Sequence, residues 1–219
     1  MTDTDHAAFG REWTRFASWL LAHSSCDHAA LRGPAGREGL DELESRLGFP
    51  LHPELTALLE LHDGTTDAGA VPAPRAVRPA GSFLPLQHRL CGAADIATMY
   101  EVLVEVGEDF VHTESPDDDE DSDDDEDLAA RLHLCVPFAL PDDGGFALVD
   151  HRPGPTYGHV YELGIGSGDL DGTLWATSLT ALFRALSDAV ETGTPFLHYW
   201  PTTTKDESGR AHLEWQIQP

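Results

Sequence analysis

Three groups of residues in this 219-residue chain have side chains that do chemistry. The first is a run of carboxylates at 114–127: Glu114, Asp117, Asp118, Asp119, Glu120, Asp121, Asp123, Asp124, Asp125, Glu126 and Asp127, broken only by Ser115, Pro116 and Ser122. Such a run repels itself and has nothing to bury, so it is expected to be a disordered loop that attracts cations. Divalent ions would gather there as a diffuse atmosphere and not in a site. The second group is His23-Ser-Ser-Cys26-Asp-His28, the densest among twelve histidines. It holds zinc-type donors, but its spacing matches no closed four-ligand pattern, so solvated helix-end residues are the expectation and no metal is assigned. His52 and His62, ten residues apart, lack the i,i+4 pair and glutamate of a zinc protease.

The third group is the glycine-rich Gly164-Ile-Gly166-Ser167-Gly168-Asp169-Leu-Asp171-Gly172. It lacks the third glycine of a dinucleotide fingerprint, the lysine of a phosphate loop and the final glutamate of a calcium loop, which leaves a connector. Ser167 has no nucleophile elbow around it. Asp142 and Asp143 sit in the turn Asp142-Asp143-Gly144-Gly145, where polar surroundings give no burial to tune a general acid or base. The expectation is a protein with no catalytic apparatus and no cofactor.

Charge narrows the partners. The chain has 39 Asp+Glu against 13 Lys+Arg, a net charge of −26; eleven of the acids lie in 114–127, so 28 remain elsewhere, a surplus of 15. Phosphates would be repelled, which argues against nucleic acid and anionic membranes and in favour of a basic protein partner. Acidity that serves only solubility is the plain alternative. Cys26, Cys91 and Cys135 are odd in number and form no CxxC pair, as fits a reducing compartment. The acidic start Met1-Thr-Asp-Thr-Asp-His and the short apolar stretches point to a soluble, cytoplasmic protein without a membrane span.

The elements that must position these residues follow from periodicity. Phe9, Trp13, Phe16 and Leu20 recur at 4, 3 and 4, the stripe of an amphipathic first helix. Leu40, Leu43 and Leu47 repeat that spacing before Gly48, a left-handed C-cap. Pro53 opens a third helix with Leu55, Leu58 and Leu59 buried, closed by His62-Asp63-Gly64. Residues 65–82 read as a surface loop, and Phe83-Leu-Pro-Leu86 as an edge strand because of its proline. A fourth helix is expected over about 95–107. Leu132, Leu134, Val136 and Phe138 alternate as a half-buried strand, Phe146–Val149 returns, and His159–Leu163 continues the meander. Ser178 caps a final helix that Gly193 stops, and 196–217 reads as a hairpin about Ser208-Gly209. Segregated helices and strands predict an α+β fold with a mainly antiparallel sheet meander covered by helices, in one domain over 1–219.

Within this order, Leu40-Asp-Glu-Leu-Glu44-Ser-Arg-Leu47-Gly48, Leu51-His-Pro53, Leu55, His62-Asp63-Gly64 and Phe83-Leu-Pro-Leu86 precede Val136-Pro137-Phe138-Ala-Leu-Pro-Asp-Asp-Gly144-Gly145-Phe-Ala-Leu148-Val-Asp150 and Gly158-His-Val160. The set resembles the SUKH superfamily, bacterial relatives of the fungal Smi/Knr-type cell-wall regulators. The resemblance implies an α+β fold and a protein-binding role. That role is either an immunity protein that neutralises a polymorphic toxin, commonly a nuclease, or a regulatory scaffold of the Smi/Knr type. Leu55, Gly64, Pro137, Phe138 and Gly144 would then be fold determinants. The chain departs from the family where His52 stands in place of the helix-opening proline, and in its acidic insert and C-terminal hairpin. Occlusion of a basic toxin groove would use Asp63, the 117–127 acids, Asp142 and Asp143 as electrostatic contributors.

Overall fold

A computed structural model describes residues 3–66, 80–113, 132–141, 145–164, 172–206 and 209–217. Helix α1 (Asp3–His23) is followed by the short α2 (Ser25–Ala29), α3 (Arg37–Leu47) and α4 (Pro53–Leu61). Phe9, Trp13, Phe16 and Leu20 of α1 are almost wholly buried, as their spacing requires. Gly48 adopts φ +80° and ends α3 in the left-handed conformation that only glycine takes without strain. The departure at His52 has a local answer. Pro53 occupies the first helical turn of α4, where its missing N–H is no loss, and the His52 ring caps the helix by accepting from Glu54 N.

The expected edge strand at Phe83–Leu86 is instead a 3₁₀ turn, Pro85–Gln87, with Leu86 and Gln87 at positive φ. Pro85 fixes the entry to that turn and donates no ladder hydrogen bond, so pairing begins only at β1 (Arg89–Leu90). Helix α5 (Ala93–Thr113) is longer at both ends than its apolar stripe indicated. A 3₁₀ turn (Leu132–Leu134) then leads into β2 (Cys135–Leu140), followed by β3 (Phe146–Asp150), β4 (Val160–Leu163), β5 (Gly172–Ala176) and α6 (Leu179–Thr192). Strands β1 to β5 pair in chain order as an antiparallel meander. Pro137 is accommodated in the middle of the sheet by a register shift between Pro137 and Ala139.

β2 is buried on both faces over Cys135–Ala139, and not half-buried as its alternation indicated. Val136, Phe138, Ala147 and Val149 face the core shared with α1, α4 and α6, while Cys135, Phe146 and Leu148 face Leu103 of α5. Helices thus cover both sides of the sheet, so neither face needed polar residues. Ser178 caps α6 by accepting from Ala181 N, and Gly193 ends it at φ +68°.

The hairpin β6 (Tyr199–Lys205) and β7 (Ala211–Ile217) forms a separate two-stranded sheet. Phe196, Tyr199, Leu213 and Trp215 join the main core. Trp215 Nε1 donates to Phe83 O, and Leu213 N donates to the buried carboxylate of Asp27 at 2.8 Å.

Candidate partner-binding face

The N-terminus of α5 is placed by two chain segments in backbone contact. Gly64 lies at φ +74°, and a Cβ there would run into Gly92 N and Cys91 C; a Cβ on Gly92 would meet the Arg32 guanidinium and Asp63 O. Only two glycines permit this approach. Arg32 Nε donates to Asp63 O, and its Nη2 pairs with Asp95 at 3.0 Å. The Asp63 carboxylate accepts from Ala93 N at 2.8 Å and Asp95 accepts from Gly92 N at 3.0 Å. Two carboxylates therefore satisfy orphan donors at the positive end of the α5 dipole. Asp63, expected as a partner contact, is half-buried and holds the fold together here.

From that anchor α3 and α5 run side by side with a groove of about 180 Å³ between them, lined by Gly36, Gly39, Glu42, Arg46, Asp63 and Ala97. The outward positions carry the charge. On α5 they are Asp95, Glu101 and Glu105, with the exposed Val102 among them, and on α3 they are Glu38, Asp41 and Glu42. Over their lengths the two helices hold nine acids against Arg37 and Arg46, and α5 has neither lysine nor arginine. Arg46 pairs with Glu101 at 2.5 Å and Arg32 with Asp95 at 3.0 Å, and Glu44 accepts from Leu51 N, while the helix pair as a whole keeps its acidic surplus. α5 ends at Thr113, directly before the 114–127 run.

Of the residues expected to meet a partner, Asp63 sits at one end of this groove; Asp117–Asp127, Asp142 and Asp143 lie outside the described residues. The acids of α3 and α5 were missed because each is ordinary alone. Their signal was that the polar positions complementary to the apolar stripe are mostly acids, nine against two arginines.

Histidines converge elsewhere, in a corner that locks the β3 end to the start of α4. His151 Nε2 accepts from His52 N at 2.7 Å while its Nδ1 donates to Val149 O at 2.9 Å. That pattern requires the neutral ring, and burial pushes the His151 pKa down to about 4. Burial lowers His52 as well, against the pull of Glu54. With both ring nitrogens engaged, His151 has no lone pair to offer as a base. Burial also pushes the adjacent Asp150 carboxyl up, but hydrogen bonds from Arg152 and Thr156 more than offset it and hold it below its usual range. Arg152 reaches both Asp150 oxygens, at 2.6–3.0 Å. These groups fix the loop 151–158, where Gly158 at φ +87° presses on the His52 ring.

The glycine pair, the bulged Pro137 strand and the Asp150 corner are the places where the sequence motifs fall in space. The model of the SMI1 / KNR4 family (SUKH-1) matches residues 34–185. The chain belongs to this SUKH family. No curated protein matches it. The match covers α3 to the middle of α6, so the SUKH body includes the acidic α3–α5 face, while α1, α2 and the hairpin fall outside it. Among the described residues, no helix of this SUKH protein is long and apolar enough to cross a membrane.

Proposed function

We propose that this SUKH protein is an immunity protein that binds a cognate toxin domain with a basic surface, of the nuclease type, and neutralises it by occlusion without chemistry of its own. The observation that carries the reading is the net surplus of seven acids on α3 and α5, leading straight into the 114–127 carboxylates. A nuclease holds its phosphates in a cationic groove, and carboxylates on a rigid helix pair present a comparable pattern of negative charge to that groove. Long-range attraction then speeds encounter, and Val102 with the α3–α5 groove supplies apolar contact at the centre. Family membership supports a binding role, because SUKH domains occur in immunity proteins and in Smi/Knr-type regulators.

Co-purification with the product of the neighbouring gene, repeated across ionic strength, tests the proposal. A stable complex whose association rate falls roughly tenfold or more between low and high salt is expected. A complex indifferent to salt, or a partner that is acidic, would remove the electrostatic argument and favour a regulatory scaffold.

A further inference from the structure

Two segments outside the family match, α2 and the hairpin, bring three metal-type donors together. The ligand atoms of Cys26, Asp206 and His212 all lie within 4.8 Å of one another. Cys26 is 7% and His212 4% exposed. The His212 ring lies between two carboxylates: Nδ1 is 3.4 Å from Asp27 Oδ1 and Nε2 is 3.6 Å from Asp206 Oδ2. Nδ1 is buried with no hydrogen-bond partner among the described residues. Charge-assisted hydrogen bonds to an imidazolium would draw in to about 2.7–2.9 Å. A tetrahedral ion with bonds of about 2.0–2.3 Å sets its donors roughly 3.3–3.7 Å apart, a spacing that the 3.6 Å between Nε2 and Asp206 Oδ2 meets.

Asp27 is already committed as a second-layer group. Its Oδ2 accepts from Ser24 Oγ at 2.5 Å and Leu213 N at 2.8 Å, and its Oδ1 accepts from Gly81 N at 2.9 Å. With the proton on Nδ1, on the side of Asp27 Oδ1, Nε2 presents its lone pair towards Asp206, and ion binding would draw Nδ1 and Oδ1 in from 3.4 Å to complete a carboxylate–histidine–metal triad. Asp206 accepts from Arg210 at both oxygens, N to Oδ1 and Nε to Oδ2, each at 2.9 Å; the Arg210 side chain is 64% exposed, so a cation would compete with it at the solvent side.

We propose that Cys26, Asp206 and His212 bind one borderline-soft divalent cation of the zinc class through sulfur, oxygen and nitrogen, with Asp27 orienting the histidine and a fourth position open to water. The ion would pin the β6–β7 hairpin to α2. The site is independent of the toxin-binding reading, since it shares no residue with the α3–α5 face.

Cobalt titration of the full chain, with excess magnesium present to occupy the 114–127 carboxylates, tests the site. One equivalent of Co²⁺ is expected to produce a thiolate-to-cobalt charge-transfer band that one equivalent of Zn²⁺ displaces. Cys26→Ser should abolish the band, Asp206→Asn should weaken binding at least tenfold, and Asp27→Asn should weaken it about 10–100-fold. Zn²⁺ should raise the wild-type Tm but not that of Cys26→Ser, whose fold is checked by circular dichroism. Cobalt bound without a charge-transfer band, a band that survives Cys26→Ser, or no binding at all would overturn the proposal.

Discussion

The two outer helix pairs of the molecule treat charge in opposite ways. On α1 and α6, Arg15 pairs with Asp188 at 2.7 Å and with Glu191 at 2.5 Å, and Arg184 pairs with Glu12 at 3.1 Å. Hydrogen bonding from Arg15 holds the Glu191 carboxyl below its usual range. Across their lengths these two helices hold five acids and three arginines, a surplus of two, whereas α3 and α5 have a surplus of seven. Both pairs bury an apolar stripe against the sheet, α1 and α6 on one face and α5 on the other. Folding therefore did not require the asymmetry. A protein acidic only for solubility would spread its surplus, and its concentration on one helix pair, continuous in sequence with the 114–127 run, is the ground on which a docking role is proposed for that pair.

The largest effect is expected from breaking the anchor of the acidic pair. Gly64→Ala forces a side chain into a left-handed backbone and against Gly92, and should destabilise by about 3–5 kcal/mol in denaturant unfolding. Native-state hydrogen exchange of a folded fraction should rise first in α3 and α5, with α1 and α6 protected; uniform exchange would show that the two pairs are not separable.

Acid should act on the body and spare both charged faces. The unfolded His151 takes up a proton near its ordinary value of 6.5 and the folded one only near 4, so the unfolded state binds more protons in between. Stability is thus full above about pH 6.5 and declines as pH falls towards 4, by on the order of 3 kcal/mol from this residue. His52 adds in the same direction. Unfolding measured across pH should show this slope, and His151→Gln, which keeps an acceptor for His52 N, should flatten it. An unchanged slope in the variant would move the effect to other groups.

A third test concerns a carboxylate that is structural and not for display. Asp27→Ala leaves Leu213 N and Gly81 N unpaired and should cost about 2–4 kcal/mol, with faster exchange in β7. The smallest effect belongs to the neutralised face. Arg15→Ala should change stability by less than about 1 kcal/mol, because exposed pairs contribute little, and should leave partner binding unaltered.

Much of the scaffold was legible in the chain. The α1 stripe, the Gly48 and Gly193 stops, the Ser178 cap and the meander all follow from local chemistry that tertiary contacts did not override. Three elements were not. The 3₁₀ turn at Pro85–Gln87 uses positive φ at Leu86 and Gln87, which no residue preference announces. Strand β5 hides behind Gly172, and among its side chains only Trp175 is buried. Helix α2 spans five residues, too few to show a period. The candidate face was harder to see because the 114–127 run drew attention to consecutive acids, while those on α3 and α5 are separated in sequence and unite only when the helices pack. Of the metal-type cluster only Cys26 drew attention, beside His23 and His28: its spatial partners Asp206 and His212 are 180 or more residues away, and only hairpin packing brings them to α2.

One comparison of association rates tests the central claim most directly. Glu42→Gln, Glu101→Gln and Glu105→Gln together should slow binding of the proposed basic partner about tenfold at low salt, while Glu12→Gln, Asp188→Asn and Glu191→Gln together leave it within about twofold. Equal slowing by the two triple variants would mean that net charge alone, and no particular face, governs the encounter.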